Sequence, residues 1–176
     1  SPQDVYDLAA TIYAEAAREP RDGKIALAHT VKNRAEVADV PIQGVVYGKQ
    51  QFSAFNPGPA FHGYADVAKG YGSKNWDEAV AVAANVLGGK IADPTKGATY
   101  YHGDYMTPTW AGTAGTKQTA HIGQHKFYTK PVSEVKAVTR AAARSQRDPV
   151  TVYDADLAKS REALGFARGQ VDNAAD

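Results

Sequence analysis

Glu15 is the side chain on which acid chemistry can be built. On a helical wheel of about 100° per residue with Leu8 at zero, Ile12 falls at about 40°, Val5 at about 60°, Ala16 at about 80° and Glu15 at about −20°. The carboxyl group therefore flanks an apolar stripe. Desolvation there disfavours the ionised form, and a carboxyl kept protonated near neutrality is a usable general acid. The structural alternative is a side chain that snorkels from the edge of the stripe and pairs with Arg18 or Lys24. A second constellation is histidine-based: His121 and His125 share one face if residues 121–128 form a single strand, and His102 on a neighbouring strand completes three imidazoles that can bind zinc. H-I-G-Q-H, however, lacks the glutamate and the helix of the H-E-x-x-H motif.

The elements that must hold these groups follow from periodicity. Val5, Leu8, Ala9, Ile12, Tyr13 and Ala16 mark one helical stripe in residues 3–19, stopped by Pro20. Ile25, Leu27, Ala28, Val31 and Ala35 mark a second helix reaching about Ala38, with Asp22 as its cap. Residues 41–74 are rich in Gly, Pro and aromatics without a sustained period and read as a long functional loop. Asn75 and Glu78 have capping-box spacing and open a third helix that ends at Gly88-Gly89. Residues 98–102 and 121–128 read as strands of a small hairpin, joined by a Gly- and Thr-rich connection that carries Trp110. Beyond Pro131 the composition shifts to Ala, Arg, Lys and Asp, with a thin stripe of Leu157, Leu164 and Val171. Residues 131–176 are therefore expected to be a helical extension or linker behind a domain at 1–130.

Composition removes whole classes of function. The 176 residues carry 20 Lys and Arg against 19 Asp and Glu, so no field of one sign exists to attract nucleic acid or an anionic bilayer. No cysteine is present, which excludes disulfides, thiolate nucleophiles and Cys-ligated metals. No apolar run reaches the ~20 residues of a membrane span. Neither a phosphate-binding G-x-x-x-x-G-K-[ST] loop nor a G-x-S-x-G elbow occurs, so no cofactor is expected.

The segment from Leu8 to Arg34, LAATIYAEAAREPRDGKIALAHTVKNR, followed by G-V-V-Y, Q-F-S, D-P-T-K-G-A-T-Y-Y-H, P-T-W and I-G-Q-H-K-F-Y, resembles the SleB/CwlJ family of cell-wall hydrolases in order and spacing over roughly residues 5–129. The resemblance implies an α+β, mainly helical, lysozyme-like domain that cleaves peptidoglycan glycan strands between N-acetylmuramic acid and N-acetylglucosamine. The family's Tyr-Gly-Glu-Ala block maps onto Tyr13, Ala14, Glu15 and Ala16, which makes Glu15 the catalytic acid. Where the family has Arg-Gly-Glu before the proline, this chain has Ala17, Arg18 and Glu19. Asn33-Arg34 matches a further pair, read as tying the second helix to the groove.

Cleaving a glycosidic bond requires a proton on the leaving oxygen, and hydrolysis requires a second carboxylate about 6.5 to 9.5 Å away for inversion or about 5 to 5.5 Å for retention. Glu19, Asp22, Asp66, Asp77 and Asp104 are the candidates, none compelling from spacing. A lytic transglycosylase needs only one carboxyl, because the muramic acid C6 hydroxyl attacks the anomeric carbon. Gln51, Phe52, Tyr100, Tyr101, His102 and Trp110, with His125 as a groove-lining histidine, are the types that stack on sugar faces or bond their hydroxyl and acetamido groups. The expected activity is lytic transglycosylation or a muramidase-type cleavage at the bacterial cell wall, in the periplasm or outside. The expected assembly is a larger polypeptide or a virion. A zinc-dependent amidase using His102, His121 and His125 and a non-catalytic wall-binding module are the alternatives.

Overall fold

The computed structural model describes residues 1–48 and 73–145. Its elements are α1 (Pro2–Ala16), α2 (Arg21–Ala38), α3 (Ile42–Val46), α4 (Lys74–Leu87), β1 (Tyr100–Gly103), a 3-10 turn (Thr109–Gly112), β2 (Lys117–Ile122), β3 (His125–Thr129) and α5 (Val132–Arg144). The fold is α+β and mainly helical. Gln51, Phe52 and Asp66 lie outside the described residues, as does the chain beyond 145.

Helix boundaries follow local chemistry. Ser1 caps α1 by accepting from the Asp4 amide, Asp4 returns the bond in a capping box, and Pro2 occupies the first turn where its missing N–H is harmless. The helix ends at Ala16 rather than at residue 19, because Glu19 precedes Pro20 and is pushed out of the helical region; the Glu19 amide instead turns back to the Ala16 carbonyl at 3.0 Å. Pro20 itself is the residue before α2, with no side-chain cap, and Asp22 lies inside the first turn, where it favours the helix dipole. The third expected helix begins two residues early: Ser73, not Asn75, caps α4 through the Trp76 amide. Glu78 is drawn away from a capping role by the buried Lys24 amine, 2.9 Å distant, which joins α2 to α4.

The core lies where α1, α2, α3 and α4 meet. Leu8, Ala9, Ile12, Val31, Val45, Val46, Ala79, Ala83 and Val86 are fully enclosed there, the alanines letting the helix backbones approach. Trp76 is its largest member, meeting Tyr6 and Tyr13 edge-on with ring centroids 6.0 Å apart in each case. The loop after α4 is held down by α2: the His29 Nε2 lies 2.9 Å from the Ile91 carbonyl, Asn33 donates to Asp93 and to the Ala98 carbonyl, and the Arg34 Nε donates to the Thr99 carbonyl at 2.8 Å. Asn33-Arg34 thus ties α2 to the start of β1. Asp93 is the hub of this loop. Burial raises its pKa, but hydrogen bonds from Thr95, Asn33 and the Gly97 amide outweigh that and hold it below the usual value.

The expected two-stranded hairpin is a three-stranded antiparallel sheet, ordered β1-β3-β2. Residues 121–128 are not one strand. Gly123, at φ 58°, and Gln124 form a two-residue turn that ends β2 and starts β3. A positive φ at the first turn position is the signature of a hairpin turn whose twist matches its strands, and H-I-G-Q-H supplies the glycine where that turn needs it. Tyr101 pairs with Phe127 and Phe127 with Ala120, while Tyr100 and Gln118 pair with Tyr128. Phe127, Tyr101, Ala120 and Ile122 pack with Ala26 of α2 and Ala98, so this face of the sheet rests on the helices.

α5 does not leave the domain at Lys130. It buries Val135, Thr139 and Ala142, its Arg140 donates to the Ala38 carbonyl at 2.7 Å, and its Ala143 packs on Gly44 of α3, where an added Cβ would sit 3.2 Å from the Ala143 Cβ. Among the described residues no helix is long and apolar enough to cross a membrane.

Candidate active site

The last turn of α1 and the bend after it, Tyr13 to Glu19, line an open depression of about 430 Å³. Glu15 is half-buried in its wall. The wheel placed it at the edge of the apolar stripe, and the helix realises that position: Ile12 and Ala16 are buried while Glu15 faces the depression. Lys24, one of the two cations offered as its partner, is committed to Glu78. Tyr101 of β1 is close enough to Glu15 to feel its charge. Burial pushes the Tyr101 phenol well above its ordinary value, the nearby Glu15 carboxylate pushes it further, and Arg34 opposes both. The Tyr101 phenol is therefore held neutral.

Glu19 closes the near end. Its Oε1 lies 3.0 Å from the Nδ1 of His125, with the two side chains only 11% and 20% exposed. Its other oxygen fits against two glycines. A Cβ on Gly123 would sit 2.6 Å from Oε2, and one on Gly23 would sit 3.2 Å from it. The carboxylate is thus seated between the start of α2 and the β2–β3 turn. The His125 ring in turn meets Tyr101 edge-on, centroids 5.3 Å apart. Spacing alone gave Glu19 no role; the glycine at 123, read as a hairpin turn followed by a histidine, was the available signal.

The sheet separates the remaining expected groups into two sets. Tyr101 and His125 stand on the face toward the helices. Tyr100, His102 and Tyr128 stand on the other, by the alternation of strand residues. There Trp110 of the 3-10 turn packs edge-on against His102 and Tyr128, at 5.6 and 5.2 Å. The Tyr100 ring lies between the Arg34 guanidinium at 4.1 Å and the Lys130 amine at 4.2 Å. Burial raises the Tyr100 phenol, Arg34 draws it back and Glu134 raises it.

The same alternation removes the zinc reading. His125 lies on the opposite face from His102 and His121, because both of the latter pair with Lys126. Each ring also has its own partner: His102 meets the Tyr128 hydroxyl and the Gly103 carbonyl, both at 2.7 Å, His121 meets Asp104 at 3.1 Å, and His125 meets Glu19. No group of three metal-ligating side chains forms among the described residues. Of the other candidate carboxylates, Asp104 is engaged by His121, and Asp22 and Asp77 are exposed in the first turns of α2 and α4.

Comparison with known proteins gives consistent matches. A model of the family described as Cell Wall Hydrolase matches residues 18–128, a span that opens just after Glu15. The spore cortex-lytic enzyme of Oceanobacillus iheyensis is 32% identical over 130 residues, covering 72% of this chain and 42% of that protein. The chain therefore spans about two fifths of the length of this curated relative. The crystal structure of the catalytic domain of the Bacillus cereus SleB protein matches with a TM-score of 0.52 and 29% identity over 73% of this chain and 91% of that one. The catalytic domain of the germination-specific lytic transglycosylase SleB from Bacillus anthracis matches with a TM-score of 0.55 and 28% identity over 73% and 96%.

Proposed function

The chain belongs to the cell wall hydrolase family, with the lysozyme-like fold of SleB catalytic domains, and from that premise we propose that it cleaves peptidoglycan glycan strands with Glu15 as the acid. The observation that carries the reading is a half-buried carboxyl on the wall of a depression at the end of α1, at the margin of the buried stripe. Cleavage falls between N-acetylmuramic acid and N-acetylglucosamine. Glu15 donates its proton to the glycosidic oxygen as the bond from that oxygen to the muramic acid anomeric carbon breaks. The muramic acid C6 hydroxyl then bonds to the anomeric carbon and gives its proton to the Glu15 carboxylate. A 1,6-anhydro ring forms, and Glu15 ends protonated as it began.

Transglycosylation is preferred over hydrolysis because of Glu19. Among the described residues lining the depression it is the other carboxylate, and one of its oxygens is held by His125 while the other is packed between two glycines. A group held on both sides is poorly placed to activate water or attack carbon. Tyr101 and His125 are the described side chains offered to the sugar. Gln51 and Phe52, outside the described residues, complete the proposed binding set, while Tyr100, His102 and Trp110, grouped on the other face of the sheet, leave it. The glycan-cleaving unit is taken as residues 1–130 with α5 packed against it, and the remainder of 131–176 as an extension belonging to a larger polypeptide or a virion, acting at the bacterial cell wall.

Mass spectrometry of digested peptidoglycan tests the reading. Wild type releases muropeptides ending in 1,6-anhydromuramic acid, and Glu15→Gln releases none while still folding and still binding sacculi. Reducing-end muramic acid as the sole product overturns the transglycosylase route. Undiminished cleavage by Glu15→Gln overturns the acid assignment. An inactive wild type that binds sacculi favours the wall-binding module.

A further inference from the structure

We propose that Tyr105 is a sugar-stacking platform, a subsite for the glycan strand beyond the Glu19 end of the depression. The inference rests on the reading of the depression as a glycan site and adds to it a contact remote from the bond that breaks.

Exposure singles the residue out. Tyr105 is 86% exposed and its neighbour Met106 50%; the other large apolar side chains open to solvent among the described residues, Val132 and Val138, belong to α5. An aromatic ring left this bare gains free energy when an apolar surface covers it. The C–H face of a sugar ring is such a surface, and the phenol at the tip of the side chain can bond the hydroxyl and acetamido groups around its rim.

Position ties the ring to the depression. Gly103 pairs with His125 and Tyr101 with Phe127, so strand alternation puts all four positions on the face of the sheet that rests on the helices. The Tyr105 ring occupies the place a side chain at 103 would take: a Cβ there would fall 2.7 Å from the Tyr105 Cδ1 and closer still to its Cε1. The ring therefore lies on that same face, at the end of β1, beside the position of His125. His125 Nδ1 is 3.0 Å from the Glu19 Oε1, and Glu19 lines the depression. Antiparallel partners stand about 4.5 to 5.5 Å apart, so Tyr105 follows Glu19 and His125 at the spacing of neighbouring side chains. A strand that leaves Glu15 past Glu19 meets Tyr105 next.

The ring is also held in place before any sugar arrives. The Asp104 amide donates to the Gln124 carbonyl at 2.8 Å, and the Asp104 Oδ2 lies 3.1 Å from the His121 Nε2. The residue before Tyr105 is thus fixed to the β2–β3 hairpin through both its backbone and its side chain, while Gly103 leaves the room the ring needs. A platform fixed in this way loses little freedom when a sugar settles on it.

The test uses the full chain and a ladder of soluble glycans of alternating N-acetylglucosamine and N-acetylmuramic acid, titrated by calorimetry into the Glu15→Gln variant so that the probe is not consumed. Affinity should rise along the ladder, and adding Tyr105→Ala should make it level off early, the longest strands binding roughly fivefold to thirtyfold more weakly, the equivalent of about 1 to 2 kcal/mol. Gly103→Ala keeps the tyrosine but pushes its ring aside, and should show the same early levelling. Tyr105→Trp should restore the rise; Tyr105→Leu, apolar but without a flat face, should not. In the active protein Tyr105→Ala should raise KM for long strands with kcat within about twofold of wild type, the signature of lost uniform binding. Its Tm should match that of wild type, because the ring buries so little. Identical ladders with and without Tyr105, a loss equal at every length, or full rescue by Tyr105→Leu would each overturn the inference. A wild type that cleaves nothing yet binds the ladder in a Tyr105-dependent way refutes the cleavage reading and supports the subsite. A dead Glu15→Gln whose ladder is indifferent to Tyr105 refutes the subsite alone, and a Glu15→Gln that binds no member of the ladder refutes both.

Discussion

Replacing Gly123 by alanine puts the seating of Glu19 to a quantitative test. The residue holds φ at 58°, where an L side chain costs roughly 1 to 2 kcal/mol. The added carbon would lie 2.6 Å from the Glu19 Oε2, a separation that no packed pair of atoms tolerates, so the carboxylate must swing away from His125. Losing that contact, in a pair more exposed to water than a core group, removes on the order of 1 kcal/mol. The sum is about 2 to 3 kcal/mol, and at about 2 to 4 °C per kcal/mol for a chain of this length the Tm should fall by roughly 4 to 12 °C. Gly23→Ala is the matched control. Its new carbon meets the same side chain, 3.0 Å from the Glu19 Cβ, but on ordinary helical backbone. There alanine regains up to about 1 kcal/mol of helix propensity, so its Tm should stay within about 3 °C of wild type. Scanning calorimetry reads both, and clearing of a sacculus suspension should slow far more for Gly123→Ala. Equal Tm shifts in the two variants, or a Gly123→Ala protein as stable and active as wild type, would refute the clamp.

Other expectations follow from single groups. Trp76→Ala empties the centre of the core between Tyr6 and Tyr13 and should cost about 3 to 5 kcal/mol, read as a lower urea midpoint. Asp93 has its folded carboxyl held below the ordinary aspartate value by its hydrogen bonds. Its contribution is therefore complete above that value and lost as pH falls through the lowered folded value. Asp93→Asn should accordingly lower Tm at pH 6, with the gap to wild type closing in thermal melts taken down to about pH 2. Tyr101→Phe should lower kcat for muropeptide release because it removes a hydroxyl that feels the Glu15 charge, whereas Trp110→Ala, on the far face of the sheet, should lower Tm more than cleavage. Comparable rates for Tyr101→Phe and wild type would separate Tyr101 from the site.

Local order is what the sequence determined. The stripe from Val5 to Ala16 needs only the 3.6-residue period to become a buried helix face, and that same period fixes Glu15 at its margin. Pro20 and Gly88-Gly89 end helices for reasons carried in their own backbones. The blocks around Glu15, Asn33-Arg34 and I-G-Q-H-K-F-Y sufficed to indicate the family, because their order survives even where the glycines at 14 and 18 do not. The histidines were legible as chemistry but not as partners. A single glycine at 123 turns the chain, so that His121 and His125 belong to two strands and opposite faces, and three expected ligands become three separate contacts. Glu19 shows the limit from the other side. Nothing within a few residues of it distinguishes it from a solvated carboxylate before a proline. Its slot is made by Gly23 on one helix and by Gly123 and His125 from a hairpin a hundred residues further on, and only the packing of sheet against helices brings those together. Spacing along a chain sets which way a side chain faces on its own element; which groups meet across elements depends on register, turn conformation and the volume left by absent side chains, and those are settled only when the whole domain closes.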